Sequence, residues 1–241
     1  AQSGQRTRAN PCSNRPQSNE LMALPDDTDR VLGVFATKHT FNDRPEEELA
    51  AEDLPLFDPE APTVAEMTQV ALKILSRSGQ RFLLVVEEEG SDNFANKNNA
   101  VGALEALRRA DAAIGVAMRF IDEHPDTLLI TAADSDAGGM KVARIEPELA
   151  DAPVPLTIDN GAPQDGRDGT ESLPFLAAPD QAGNRWPFAV TWAAEADLGG
   201  GVVARAHGLN SELLPTSVDN TNVYRLMYRT LFGVEPGAAS E

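Results

Sequence analysis

Apolar residues occur along the chain in short continuous runs that are separated by longer stretches of mixed character. Five runs have the length and composition of buried strands: VLGVF (31–35), FLLVV (82–86), TLLIT (127–131), FAVTW (188–192) and VVARA (202–206). Most of them are continuous rather than alternating, which is typical of strands covered on both faces of a sheet.

Three longer stretches between these runs repeat apolar residues at helical spacing and carry helix start or stop signals. The first spans residues 62–79, the second 99–125 and the third 217–233, with Pro125 and Gly233 as stop signals. Strands that alternate with helices predict an α/β domain with a central, mostly parallel sheet flanked by helices.

Two stretches have the composition of long loops. Residues 42–62 are acidic and rich in proline, and residues 147–187 are rich in proline, glycine, aspartate and asparagine. Loops of this length in a compact domain are usually either functional or disordered. Residues 1–29 are polar and irregular, so we expect an irregular segment over 1–29 and a single α/β region over 30–241.

Charge and cysteine content exclude several classes of protein. The 241 residues carry a formal net charge of −18, with a pI near 4.5. No basic cluster is present to neutralise phosphates, so we expect no nucleic-acid partner, and no apolar run is long enough for a membrane span. Cys12 is the single cysteine, which excludes an internal disulfide and a cysteine-based zinc site.

Polar oxygen side chains follow three of the predicted strands. The carboxyl ends of parallel strands meet at one edge of a sheet, where ligands of open α/β folds bind. Crowded carboxylates repel one another unless a proton or a cation neutralises them. Oxygen-only donors suit hard cations such as Ca²⁺, Mg²⁺ or Mn²⁺. The alternative is that Asp and Asn here form turns and helix caps. The candidates are Glu87, Asp92, Asn96, Asp134, Ser135 and Asp197.

Several segments resemble the alkaline phosphatase family in order and spacing. They are FLLVVE with its asparagine-rich loop and the following helix, TLLITAADSDAGG, and VARAHGLN…SVDNTNVYRLMY. LGVFATKH and PTVAEMTQVALKIL also match the family in order, so the resemblance runs from about residue 30 to residue 233. It covers only the C-terminal half of the family's domain.

The resemblance implies a role for each carboxylate at the strand ends. Family members hold two zinc ions and one magnesium ion beside a phosphorylated serine. The family's magnesium-binding glutamate falls on Glu87, and a zinc-binding aspartate falls on Asp92. The aspartate of the family's Asp-His pair falls on Asp134.

The three metal-binding histidines of the family are replaced by oxygen side chains in this chain. They fall on Asn96, Ser135 and Asp197. Imidazole is a favoured zinc ligand, so its loss shifts the expected metal from zinc, which stays an alternative, to Ca²⁺ or Mg²⁺. None of the chain's histidines, among them His39 and His207, falls on a family ligand position.

The family's nucleophilic serine has no counterpart before residue 30, and the flanks of Ser135 place it at a metal-ligand position. The resemblance therefore implies a phosphate-ester hydrolase whose nucleophile lies in an N-terminal half, either a separate chain or a lost segment. Members of the family are usually exported, which implies a periplasmic or extracellular location. The rival interpretation is a non-catalytic metal-binding or structural module of phosphatase ancestry.

Overall fold

The computed structural model describes residues 18–35 and 42–237, which form six α-helices, nine short strands and two 3-10 turns. The helices are α1 (Ser18–Met22), α2 (Glu46–Glu52), α3 (Val64–Ser76), α4 (Gly90–Ala95), α5 (Ala100–Glu123) and α6 (Asn220–Phe232). The strands are β1 (Leu128–Ala132), β2 (Asp136–Ala137), β3 (Lys141–Arg144), β4 (Gln164–Gly166), β5 (Gly169–Thr170), β6 (Phe175–Leu176), β7 (Pro187–Thr191), β8 (Asp197–Leu198) and β9 (Ala204–Gly208).

The three predicted helices are confirmed, and capping side chains define where they begin. The Thr63 hydroxyl accepts from the amide of Glu66 while the Glu66 carboxylate accepts from the amide of Thr63. This reciprocal pair satisfies two amides that a helix start leaves unpaired. Asn99 caps α5 by accepting from the amide of Gly102, and Gly233 ends α6 in the left-handed conformation with φ +76°.

The prediction of a mostly parallel sheet is wrong for the part of the chain that the structure describes. Every strand pair there is antiparallel: β1 with β9, β2 with β8, and β7 with β3, β4 and β6, while β5 extends the last sheet through β4. A parallel ladder needs a second strand of the same sheet delivered by a crossover. No described segment of this chain supplies that neighbour.

Three of the five predicted strands are confirmed to within about two residues, and two do not form ladders. The runs 127–131, 188–192 and 202–206 correspond to β1, β7 and β9. Residues 31–35 and 82–86 are outside any strand, and many of their apolar side chains are exposed. Their composition fits a strand, but pairing requires a partner that composition cannot provide.

The two stretches with loop composition carry short elements. Helix α2 lies within 42–62, while a 3-10 turn, β4, β5, β6 and the start of β7 lie within 147–187. Helix α1 lies within 1–29. None of the helices in the described ranges is long and apolar enough to cross a membrane.

The main core lies between α4, α5 and β7. Its members include Phe94 and Trp192, which are 0% and 1% exposed, and three alanines of α5 at 100, 103 and 106. The small residues of α5 permit close approach, because a Cβ on Gly102 would lie 2.4 Å from the Phe94 ring. This packing fixes α4, and with it one side of the candidate site.

Candidate functional site

Three chain segments bring oxygen side chains together above the main core. Helix α4 supplies Asp92. Asn96 directly follows the last residue of this helix, and because it lies four positions after Asp92 it is on the same helical face. The two-residue strands β2 and β8 pair with Ala137 opposite Asp197. The turn between β1 and β2 carries Asp134 and Ser135. We call these five side chains (92, 96, 134, 135 and 197) the rim cluster.

Asn96 joins the segments through both ends of its side-chain amide. Its nitrogen donates to Asp197 Oδ1 at 2.7 Å and approaches the two Asp92 oxygens at 3.3 and 3.4 Å. Its oxygen accepts from the amide of Gly138 at 3.1 Å. Asn96 therefore orients two carboxylates and is itself oriented by the backbone after β2.

Gly138 holds a conformation that only glycine accommodates at this position. Its φ is +65°, and a Cβ there would lie 2.3 Å from the carbonyl oxygen of Ala95 and 2.9 Å from the Trp192 ring. The residue also accepts from the amide of Ala193 at 2.8 Å. The close approach of backbone to backbone is what brings the amide of Gly138 within reach of Asn96.

The rim cluster concentrates negative charge. Partial burial, contact with Asp197, and the charges of Asp197, Glu89 and Asp134 raise the pKa of Asp92 to about 6. Hydrogen bonds from Asn96, Asp92 and Ser135 hold the pKa of Asp197 below its usual range. As the pH falls to about 6 the pair therefore takes up one proton, which binds Asp92 in preference to Asp197, as expected of two carboxylates in contact.

The remaining predicted residues differ in how closely they approach this pair. Ser135 hydrogen bonds with Asp197, while Asp134 is exposed and acts on Asp92 through its charge. Glu87 is exposed at the end of the unpaired run 82–86. His207 is exposed on β9 opposite Leu129, and His39 lies outside the described residues.

The oxygen donors fit a hard cation by chemistry but do not form a complete metal cage. Asp92 and Asp197 converge, and a cation between them would relieve their mutual repulsion. Within residues 18–35 and 42–237, no group of three or more His, Cys, Asp or Glu side chains has the arrangement of a metal site.

A second carboxylate pair was missed by the sequence analysis. Glu46 is 9% exposed, and its Oε1 accepts from the amide of Val101 in the first turn of α5, while its Oε2 has no hydrogen-bond partner. Asp165 is 2% exposed and accepts from Trp192 Nε1 at 2.6 Å. Both lie in stretches of loop composition, and the sequence offered two signals for them, the helix start at 99–101 and Trp192.

The described chain combines helices and antiparallel strands with a cluster of oxygen side chains that Asn96 joins. The family model for alkaline phosphatase matches residues 7–171. Since that match covers well over half of its length, the chain belongs to the alkaline phosphatase family, and it is of phosphate-ester hydrolase lineage. Asp197 lies beyond the matched residues.

Relatives of known name agree with this assignment. The chain is 31% identical over 105 residues to alkaline phosphatase of Escherichia coli strain K12, covering 44% of this chain and 22% of that protein. It is 31% identical over 85 residues to alkaline phosphatase 4 of Bacillus subtilis strain 168, covering 35% of this chain and 18% of that protein. These matches span less than a quarter of each relative.

Solved structures share the fold. A cold-active alkaline phosphatase from a psychrophilic Shewanella superposes with a TM-score of 0.53 at 20% identity, over 74% of this chain and 53% of that chain. A variant of TAB5 alkaline phosphatase with one histidine replaced by glutamate, which has Mg bound in its M3 site, gives 0.51 at 17% identity, over 80% and 51%. The chain thus spans about half the length of these structures.

Proposed function

We propose that this chain supplies the cation-binding half of an alkaline-phosphatase-type phosphomonoesterase. The observation that carries the proposal is the rim cluster, in which Asn96 joins Asp92 and Asp197 from two distant segments of the chain. Asp92, Asp197, Asp134 and Ser135 are the residues that would hold the cation, with Glu87 as a further ligand. The nucleophile that attacks phosphorus belongs to the other half of the domain.

Within this half, each residue has a defined task. Asn96 keeps the two carboxylates aligned, the amide of Gly138 keeps Asn96 aligned, and Ser135 positions Asp197. A bound cation supplies charge stabilisation of a phosphate ester and a lowered pKa of bound water. The oxygen donors favour Ca²⁺ or Mg²⁺, and zinc is the alternative. The variant of TAB5 alkaline phosphatase in which an acidic residue replaces a histidine has Mg bound, which supports a magnesium-type site.

The cation is tested by thermal unfolding of the chain with chelator and with added Ca²⁺ or Mg²⁺. A cation that binds only the folded state raises Tm in a concentration-dependent way. Asp134→Asn should weaken that rise much more than Asp136→Asn, a neighbouring exposed carboxylate outside the proposed ligand set. Stoichiometric zinc bound through His207, or equal effects of the two variants, would contradict the proposal.

Catalysis is tested with p-nitrophenyl phosphate. The chain alone should not turn over this phosphate ester, because the proposed nucleophile lies outside it. Robust turnover by the 241-residue chain that is abolished by Ser135→Ala would assign the nucleophile to Ser135 instead.

The competing candidate is a non-catalytic metal-binding or structural module of the same ancestry. Glu87 is exposed and is not among the charges that act on Asp92, which favours this candidate. A cation-dependent rise in Tm without activity in the presence of the other half of the domain would select this candidate. For the parent protein we propose a periplasmic or extracellular location, which fractionation of the producing cells would test.

A further inference from the structure

A series of buried contacts connects the interior carboxylate of Asp165 with the rim cluster. Trp192 directly follows β7, and its amide donates to the carbonyl oxygen of Pro163 at 3.2 Å. Its indole Nε1 donates to Asp165 Oδ2 at 2.6 Å. Asp165 and Trp192 are 2% and 1% exposed. The segment at 163–165 therefore holds both the backbone and the indole ring of Trp192.

The opposite edge of this indole lies against Gly138. Trp192 Cε3 would be 2.9 Å from a Cβ built on Gly138, and Cε3 and Nε1 are on opposite edges of the ring system. The next residue, Ala193, donates its amide to the carbonyl oxygen of Gly138 at 2.8 Å. Because a packed interior has no space to absorb a rotation of the ring, such a rotation would displace Gly138.

Gly138 contacts both sides of the rim cluster. Its amide donates to Asn96 Oδ1 at 3.1 Å and also to the carbonyl oxygen of Ala196 at 3.2 Å. Ala196 immediately precedes Asp197, and Asn96 Nδ2 donates to Asp197 Oδ1 at 2.7 Å. A shift of Gly138 would therefore move both the side chain that joins the carboxylates and the backbone that carries Asp197.

The carboxylate of Asp165 is suited to orienting the indole. β4 pairs with β7 through backbone groups, with Asp165 opposite Val190, so the ladder itself does not need this side chain. Burial raises the pKa of Asp165 to about 6 and the hydrogen bond from Trp192 opposes that rise, so the group is largely ionised at neutral pH. A charged acceptor holds an N–H donor more strongly than a neutral one, while burial of a charge adds little to stability.

We propose that Asp165 is a positioning residue for the rim cluster: it holds the Trp192 indole against Gly138 and so keeps the cluster in the arrangement that binds a cation. The cation rests on the proposed function, whereas the arrangement of the side chains does not. The two parts of the inference are therefore measured separately, without cation and with it.

The arrangement is tested without cation, by NMR of the side-chain amide of Asn96 in the whole chain. The Nδ2 protons, assigned by their loss in Asn96→Asp, lie beside carboxylates, so their resonances should differ from those of exposed asparagines. Asp165→Ala should move them to the values of exposed asparagines. Asp165→Asn keeps an oxygen acceptor for Nε1 and should leave them in place. Unchanged Asn96 resonances in Asp165→Ala would overturn the proposal.

Leu226→Ala is the control for a general loss of stability. Leu226 is 4% exposed on α6 and belongs to neither the interior pair nor the main core cluster. Its truncation also destabilises the fold, but it should leave the Asn96 resonances unchanged. Equal displacement of these resonances by Leu226→Ala and Asp165→Ala would make the effect a consequence of lost stability and would contradict the positioning role.

Cation binding is measured on the same variants as the Kd for Ca²⁺ and for Mg²⁺ by calorimetric titration. Asp165→Ala should raise Kd by about tenfold, the usual effect of removing a group that orients a metal ligand, and Asp165→Asn should change it by less than about twofold. Unchanged Kd in Asp165→Ala would contradict the inference. A wild-type chain that binds neither cation would contradict the proposed function, while the Asn96 resonances would still decide the positioning role.

A double-mutant cycle tests whether Asp165 acts through the indole. Trp192→Phe keeps an aromatic ring in the core and removes the Nε1 donor, and it is informative also where Asp165→Ala fails to fold. It should displace the Asn96 resonances as Asp165→Ala does. Adding Asp165→Ala to Trp192→Phe should change them little further, because the two residues act through one hydrogen bond. Additive displacements, or Asn96 resonances unchanged in Trp192→Phe, would overturn the proposal.

Discussion

The protein has two pairs of neighbouring carboxyl groups, one exposed to solvent at the rim and one buried in the interior. Asp92 and Asp197 meet at the surface, where Asn96 donates to both and water reaches Asp197. Glu46 and Asp165 lie inside, and each has one fixed donor: the amide of Val101 and the indole of Trp192.

The two pairs differ in the main cause of their raised pKa values and in whether a cation can reach them. Burial is the first cause for Glu46, with the charges of Asp165 and Glu47 adding to it, and the pKa rises to about 8. Burial likewise raises the pKa of Asp165 to about 6 against the opposing effect of the Trp192 hydrogen bond. At neutral pH Glu46 keeps its proton while Asp165 is largely ionised, and both are closed off from solvent, whereas the rim pair is open to a cation. Crowded carboxylates mark a binding site only where a ligand can reach them.

The largest effect is expected from Trp192→Ala. The substitution removes a core side chain that is 1% exposed and leaves buried Asp165 without its donor. The free energy of unfolding should fall by roughly 3–5 kcal/mol. Trp186→Ala is the matched control in urea unfolding, because Trp186 is 47% exposed and also donates to an aspartate, Asp180. Similar losses for the two variants would show that the interior pair is not supported by Trp192.

Gly138→Ala should cost roughly 2–4 kcal/mol and should also disturb the rim cluster. The new Cβ would lie 2.3 Å from the carbonyl oxygen of Ala95, so the backbone that donates to Asn96 must shift. Gly161→Ala is the control that measures backbone strain without a steric clash, because Gly161 has φ +83° and no atom lies within 4 Å of a Cβ built there. We expect about 1 kcal/mol for Gly161→Ala by chemical denaturation, and equal costs would contradict the close approach.

Glu46→Gln should stabilise the protein at alkaline pH. The folded pKa of Glu46 is about 8 against an ordinary value of 4.5, so the folded state binds this proton more tightly. Its contribution to stability is present below about pH 4.5 and is lost as the pH rises to about 8.

Relative to the wild type, Glu46→Gln should therefore gain up to about 1.4 kcal/mol for each pH unit between pH 4.5 and pH 8. The control is Glu48→Gln, which changes an exposed glutamate of the same helix. Unfolding curves at several pH values measure the difference, and a flat difference for Glu46→Gln would show that its carboxyl group is not buried as described.

The smallest effect on stability is expected from Asp197→Asn. Asp197 is exposed and its oxygen position is retained, so the free energy of unfolding should change by less than about 0.5 kcal/mol. The same variant should remove most of the cation-dependent rise in Tm. A large loss of stability without added cation would mean that the rim pair is structural, like the interior pair.

Local sequence patterns were sufficient to predict three helices, and the resemblance to a family was needed to select residues of the rim cluster. Capping signals predicted α3, α5 and α6, because caps depend on neighbours a few residues away. The resemblance to the alkaline phosphatase family selected Asp92, Asn96 and Asp197 from many acidic and amide residues, and the structure brings these three together. Their role as ligands stays a prediction. The buried pair was not predicted, because Glu46 and Asp165 lie in stretches whose composition is that of exposed loops.

The sequence by itself indicated the family and located α3, α5 and α6, since motifs and helix caps depend on residues that are near one another along the chain. Only the tertiary structure decided which strands pair, which carboxylates meet and which are buried. Residues 82–86 have the composition of a strand, yet they form none within the described chain. Pairing, burial and pKa depend on neighbours that are distant along the chain or absent from it, and no local pattern specifies a distant neighbour.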